Sequence, residues 1–317
     1  MPELNKISKY ILTRPLSGQG SGYSRWGFAV LEGDPSRTEH FIKEFISPVY
    51  PDAHSEISSA VRKVIVNGCE AFALKKSRLY SAINSASNGN IIGIEDFFRF
   101  RSRYYIITEK INITPYDVAA IARLPLEKKL VLLRVLLNSV KCLHDAGVIH
   151  ADLKPENIII KQTKNGFFTA KLIDFDSSFF EDEPPENKDD IQGDPVYLSP
   201  ETFMCIAGED AALTTRLDIF SLGIIFHELL CGERPAFDDC YDYIYESVLD
   251  GVYPIIGNDV PPAIGVMIKL MLSRNPQNRP RAEEIDEVLA AISGDSREFA
   301  APPAKKSGYF APPKALR

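Results

Sequence analysis

Val148-Ile149-His150-Ala151-Asp152-Leu153-Lys154-Pro155-Glu156-Asn157 runs into Ile158-Ile159-Ile160 and, after a polar break, into Leu172-Ile173-Asp174-Phe175-Asp176. Two apolar runs of strand length, each beside a lone Asp, flank a Lys-Pro-Glu-Asn turn. That pattern gathers Asp152, Asn157 and Asp174 at one end of a small sheet. Two carboxylates and an amide are the hard oxygen donors that a magnesium ion on phosphates takes from a protein. The stretch therefore predicts a magnesium–phosphate site. Such a site also needs a phosphate cradle, a cation on the phosphates and a group that orients the attacking hydroxyl.

Composition sets the frame. The chain has 317 residues, 45% hydrophobic and 25% charged, enough apolar content for two lobes or one large domain. A net charge of −7 without a basic block argues against nucleic-acid binding by bulk electrostatics. The five cysteines (Cys69, Cys142, Cys205, Cys231 and Cys240) are scattered, with no Cys-x-x-Cys pair, which fits a reducing compartment better than a disulfide framework. No signal-peptide profile and no apolar run of about 18 residues is present. The expectation is a soluble cytoplasmic protein without a membrane partner.

From Tyr10 to about Ile46 the pattern reads strand, glycine loop, strand, turn, strand. The loop Leu16-Ser17-Gly18-Gln19-Gly20-Ser21-Gly22-Tyr23 has glycine at alternate positions, and Phe41-Ile42-Lys43-Glu44-Phe45 alternates with strand period. A long helix is expected from about Ser55 to Ile83, then strands over Ile91–Phe98 and Tyr104–Glu109. Beyond Glu109 helices dominate. Leu126, Leu130, Leu133, Leu137, Val140 and Leu143 share one helical face, which Gly147 ends. Thr214–Leu230, Pro261–Leu272 and Arg281–Ile292 read as further helices. The tail from Gly294 repeats Phe299-Ala300-Ala301-Pro302-Pro303-Ala304-Lys305 as Phe310-Ala311-Pro312-Pro313-Lys314-Ala315, an extended segment with docking on a partner, or on the protein's own body, as the sharper alternative.

These motifs, over about residues 10–294, resemble the eukaryotic-type (Hanks-type) Ser/Thr protein kinases. The resemblance implies an α+β, bilobal fold: a small antiparallel-sheet N-lobe with one major helix over 1–109, a mainly helical C-lobe over 110–294, and the tail at 295–317. It implies ATP and Mg2+ as cofactors and proteins as substrates. Asp152 matches the catalytic base, Lys154 the lysine at the γ-phosphate, and Asn157 and Asp174 the metal ligands. Lys43 matches the lysine on the α- and β-phosphates. Glu70, the only acidic residue between Ile57 and Ile94, is its expected partner, with Glu56 second. Gly18, Gly20 and Gly22 supply the phosphate loop in one of two registers. Trp26, Phe41 and Ile159 take places around adenine, with Thr108 as gatekeeper and Glu109 and Ile111 presenting backbone to the adenine edge. Gly193-Asp194-Pro195-Val196-Tyr197-Leu198-Ser199-Pro200-Glu201 looks like the substrate-docking segment. Glu201 is expected to pair with Arg279, and Asp218 to hold the catalytic loop.

Four departures qualify that likeness. Ala151 replaces the Arg that usually precedes the catalytic Asp, making this a non-RD variant and implying no need for a phosphate on the activation loop. That loop carries Glu181, Asp182, Glu183, Glu186, Asp189 and Asp190, with only Ser177 and Ser178 as acceptors. Asp176 replaces the Gly of Asp-Phe-Gly, and Asp194 replaces a Thr. Phe41 stands where a small residue usually abuts adenine, so with Trp26 it narrows that place. The expectation is an ATP- and magnesium-dependent Ser/Thr kinase. A pseudokinase binding module and a kinase-fold small-molecule phosphotransferase are the rivals.

Overall fold

The computed structural model describes residues 6–18, 24–53, 55–111, 117–164 and 166–294. Gly20, Gly22 and the 295–317 tail lie outside them. The chain divides into two compact units; among the described residues the first comprises 6–85 and 92–111, the second 86–91 and 117–294.

The first unit is a six-stranded antiparallel sheet with one long helix. Its strands are β1 (Lys6–Ile7), β2 (Tyr10–Leu12), β3 (Ser24–Leu31), β4 (Glu39–Phe45), β5 (Ile94–Phe100) and β6 (Arg103–Glu109), in the order β1-β2-β3-β4-β6-β5. The helix α1 spans Ser59–Ala86. Trp26 pairs with Lys43 and Phe28 with Phe41, while Lys43 also pairs with Ile106 and Phe41 with Thr108. Because strand side chains alternate, Phe41, Lys43 and Phe45 share one face. Phe45, Phe97 and Tyr104 meet Phe72 of α1 through rings 5.2–6.3 Å apart, and Tyr104 donates its hydroxyl to the Cys69 carbonyl at 3.0 Å. The opposite face packs Ile7, Tyr10, Leu12, Ala29, Ile42, Tyr105 and Ile107 together.

Two boundaries differ from expectation for visible reasons. The helix begins at Ser59, not Ser55, because Arg62 reaches back to the carbonyls of Asp52 and Ser55 at 2.8 and 3.1 Å and ties that stretch as a turn. Strand β5 begins at Ile94, not Ile91. The Asn90 carbonyl accepts the Leu172 N–H at 2.8 Å and Ile91 bridges Leu172 in parallel, so both belong to the second unit. Asn84 then holds the N–H and carbonyl of Ile94 at 2.9 and 2.8 Å.

The second unit is mainly helical: α2 (Val118–Ala122), α3 (Leu126–Asp145), α4 (Pro200–Ala207), α5 (Arg216–Cys231), α6 (Ile244–Leu249), α7 (Pro262–Met271) and α8 (Ala282–Ser293). Every residue of α5 from Leu217 to Leu230 is buried, as a helix apolar on all sides requires. It packs on α2, α3 and α7, and α3 packs on α8. As expected, α3 stops before Gly147, which takes a left-handed φ of 68°. Two small sheets sit at the start of the catalytic stretch. The hairpin β8 (Ile158–Gln162) and β9 (Phe168–Leu172) packs on α3, and β7 (Val148–Ile149) pairs antiparallel with β10 (Phe179–Phe180). None of the described helices is long and apolar enough to cross a membrane.

Candidate active site

The hairpin β8–β9 brings the predicted residues together. Ile158 pairs with Leu172, and the Ile173 N–H reaches the Asn157 carbonyl at 3.0 Å. Asn157 and Asp174 therefore lie at the same end of the hairpin. Pro155 opens a single helical turn over Pro155–Asn157, where its fixed φ and missing N–H cost nothing. That turn swings the Asn157 side chain back over Asp152: its Nδ2 donates to the Asp152 carbonyl at 2.8 Å and to Asp152 Oδ2 at 3.0 Å. With Nδ2 committed to Asp152, Oδ1 is the acceptor atom of the amide.

Asp152 is gripped from three sides. Besides Asn157, Lys154 Nζ lies 3.2 and 3.1 Å from its two carboxylate oxygens, and the Asp194 N–H donates to Oδ1 at 3.1 Å. Asp194 Oδ2 stands 3.6 Å from Lys154, while its Oδ1 accepts the Val196 N–H at 3.1 Å. Burial works against the Lys154 ammonium, but Asp152 and then Asp194 more than offset it, so its pKa lies above the ordinary lysine value. Lys154 is a permanent cation between two carboxylates.

The loop that carries Asp152 is hung from a buried carboxylate. Asp218, fully buried in α5, accepts the His150 N–H at 2.8 Å and the Ala151 N–H at 2.9 Å, and His144 Nε2 lies 2.9 Å from its Oδ2. Burial pushes this carboxyl up, yet His144 and His150 with their hydrogen bonds bring it below the usual range. Ala151 and Asp174 both hold left-handed backbone, φ 65° and 62°, a conformation that non-glycine residues keep only where the surroundings enforce it. His150 Nε2 lies 3.2 Å from the Ile173 carbonyl, which makes Nε2 the protonated nitrogen and leaves Nδ1 to accept the Asp152 N–H at 3.4 Å. Its ring rests 5.0 Å from Phe175. Of the two activation-loop serines, Ser178 is buried and donates to the His150 carbonyl at 3.0 Å.

The docking segment is equally built in. Ser199 caps α4, and Tyr197 donates its hydroxyl to the buried Glu228 at 3.1 and 3.0 Å. Ser221 donates to the Tyr197 carbonyl at 2.8 Å. Glu201 and Arg279 form the expected pair, bidentate at 2.6 and 2.7 Å, and the Arg279 side chain is fully buried.

The first unit positions the remaining residues. Lys43 is buried in β4, at 8% exposure. Trp26 and Phe41 stack at 5.9 Å, with Phe28 edge-on to both at 6.2 and 6.1 Å. Thr108 is buried at the end of β6, and Glu109 and Ile111 follow it, both half-buried. Ile159 is buried in β8 of the second unit. Gly18 has open space where a side chain would stand. Glu70 is exposed on α1, outside the buried strip of Cys69, Ala73, Leu79, Tyr80 and Ile83. Helix phase turns position 70 outward beside buried Cys69. Glu56 is exposed ahead of the helix.

Sequence reasoning missed His144, His150 and Ser178 as supports of the catalytic loop. Their partners lie 74, 23 and 28 residues away along the chain. A His one turn before the helix-ending Gly147, and another two before Asp152, are the signals in the sequence.

Comparison with known proteins matches residues 62–288 to the protein kinase domain family. A serine/threonine-protein kinase of Myxococcus xanthus is 27% identical over 295 residues, 89% of this chain and 32% of that protein. A probable cAMP-dependent protein kinase catalytic subunit of Encephalitozoon cuniculi is 33% identical over 156 residues, 49% of this chain and 44% of its own length. A calcium-dependent protein kinase of Arabidopsis thaliana is 33% identical over 157 residues, 49% and 29% of the two chains. The chain spans less than half the length of each of these relatives. The family match covers helix α1 from Arg62 on, the Asp152 loop, the segment 193–201 and the Glu201–Arg279 pair, and the chain belongs to the protein kinase domain family.

Proposed function

We propose that the chain is a Ser/Thr protein kinase that transfers the γ-phosphate of ATP to protein hydroxyls. The observation that carries this reading is the grip of Lys154, Asn157 and the Asp194 N–H on the Asp152 carboxylate. Asp152 orients the acceptor hydroxyl and takes its proton as the oxygen attacks the γ-phosphorus, and ADP leaves. Lys154 places its fixed charge on the transferring phosphoryl group. Asn157 and Asp174 would hold magnesium, which would neutralise phosphate charge there; their oxygen atoms are the hard donors such an ion takes. Lys43, buried in its strand, is assigned to the α- and β-phosphates, and Trp26, Phe41, Thr108, Glu109 and Ile111 of the first unit, with Ile159 of the second, are the residues assigned to the base.

Ala151 and the buried Ser178 support activity without activation-loop phosphorylation. Residue 151 offers no guanidinium to a phosphate, and the Ser178 hydroxyl is committed to His150. The stacked Trp26 and Phe41 favour the rival reading, a binding module that does not turn over ATP. Incubation with labelled ATP and magnesium, followed by phosphoamino-acid analysis, separates the readings. Label on Ser and Thr of protein supports the kinase. Label in small molecules only, or none, refutes it.

A further inference from the structure

In the second unit, a cavity of about 380 Å3 opens where the C-terminal end of α3, the segment after β10, and the starts of α5 and α8 meet. It shares no residue with the Asp152 cluster, and its size suits a small molecule. Charged groups of both signs line it, unevenly satisfied. Lys141 is held between Asp145 at 2.5 Å and Glu283 at 3.1 Å. Glu181 accepts the N–H and hydroxyl of Thr215 at 2.9 and 3.3 Å.

The arginines differ. Arg216 donates to the Arg279 carbonyl at 2.7 Å, an uncharged acceptor, and Glu284 takes the backbone N–H of Arg281 at 2.6 Å. Burial, and then the charge of Arg281, push the Arg216 guanidinium below its usual value. Glu284 and Glu181 partly offset that push, and Arg216 and Arg281 line the cavity beside the Gln277 amide and the Thr214 hydroxyl, with Glu181 and Glu283 as acids of the same lining. Guanidinium forks match the paired oxygens of phosphate, as they do those of carboxylate. The same cavity is lined by His144, 13% exposed, whose Nε2 contacts Asp218 Oδ2.

We propose that this cavity binds a small phosphate-bearing molecule through Arg216 and Arg281, and that its occupancy reaches the catalytic loop through His144 and Asp218. The Asp218 oxygen that His144 contacts is also the acceptor of the His150 N–H, so a ligand against His144 acts on the group that suspends the loop.

The test is calorimetric titration of the full chain with glycerol 3-phosphate and with pyrophosphate, at ionic strength held constant with chloride. The expected result is saturable binding of at least one probe, at least tenfold weaker in Arg281→Ala and Arg281→Glu. Lys43→Ala and Lys154→Ala are expected to bind as the parent does, which separates the cavity from the proposed ATP site. Arg281 is exposed, so the thermal midpoints of its variants should match the parent. Amide resonances of His150 and Ala151 should shift with the same midpoint as the heat. Binding of neither probe, equal affinity in the Arg281 variants, or loss in the lysine variants would overturn the site. Unmoved amides at saturation would overturn the coupling.

Discussion

The Asp218 carboxylate accepts the Ala151 N–H at 2.9 Å while Ala151 stands at φ 65°. A left-handed non-glycine residue costs about 1–2 kcal/mol, and the buried carboxylate holds the backbone there. Ala151→Gly removes the steric cost and adds back some chain entropy. The expected outcome is a gain of about 0.5–1 kcal/mol in denaturant unfolding, with phosphotransfer retained. A loss of stability would contradict the strain.

Asp218→Ala leaves the N–H groups of His150 and Ala151 and the ring of His144 without their acceptor. At about 1–3 kcal/mol per buried unsatisfied group, the fall in stability should be about 3 kcal/mol or more, with phosphotransfer lost. Because the Asp218 pKa is lowered by folding, its stabilisation is present above the ordinary carboxylate value and lost as pH falls through the folded one. The gap between parent and variant should therefore close only below about pH 4.

Glu228 runs the other way. Burial raises its pKa, even though the Tyr197 hydroxyl and Arg234 favour the charged form. The fold therefore disfavours the carboxylate, and this penalty grows as pH rises from the ordinary value of 4.5 through the folded one. Glu228→Gln keeps an acceptor for Tyr197 and removes the charge. Its thermal midpoint should exceed the parent's at neutral pH, with the difference shrinking on acidification. An equal or lower midpoint at neutral pH would refute this.

Arg279 is fully buried and bidentate to Glu201, with further bonds to the carbonyls of Ser273 and Arg216 at 2.9 Å each. Truncating one partner of a buried pair strands the other charge, at about 3–5 kcal/mol. Arg279→Ala should lose about that much in denaturant unfolding. Arg279→Lys should recover only part, since an ammonium cannot fork onto a carboxylate.

The candidate site was largely legible because its residues are close in sequence. Asp152, Lys154 and Asn157 fall within six positions, and the two apolar runs fix the hairpin that adds Asp174. Long helices such as α3 and α5 were legible from apolar period, with ends displaced by a residue or two. What sequence could not resolve depends on distant partners. The strand pairing of Val148–Ile149 with Phe179–Phe180, the contact of His144 with Asp218, and the capture of Asn90 and Ile91 by β9 each join segments tens of residues apart. Elimination along the sequence points to Glu70, whereas helix phase, set by packing of Cys69 and Ala73, leaves it exposed. The short helices α2, α4 and α6 have too few turns to show a period.

The most direct test compares phosphotransfer by the phosphatase-treated parent with that of Asp152→Asn, using labelled ATP, magnesium and a Ser/Thr peptide library. Asn keeps the side-chain shape but cannot take the hydroxyl proton, so the rate should fall by about 10²–10⁴, while the treated parent keeps its activity. Equal rates in parent and variant, or no transfer by the parent, would contradict the assignment of Asp152 as the catalytic base.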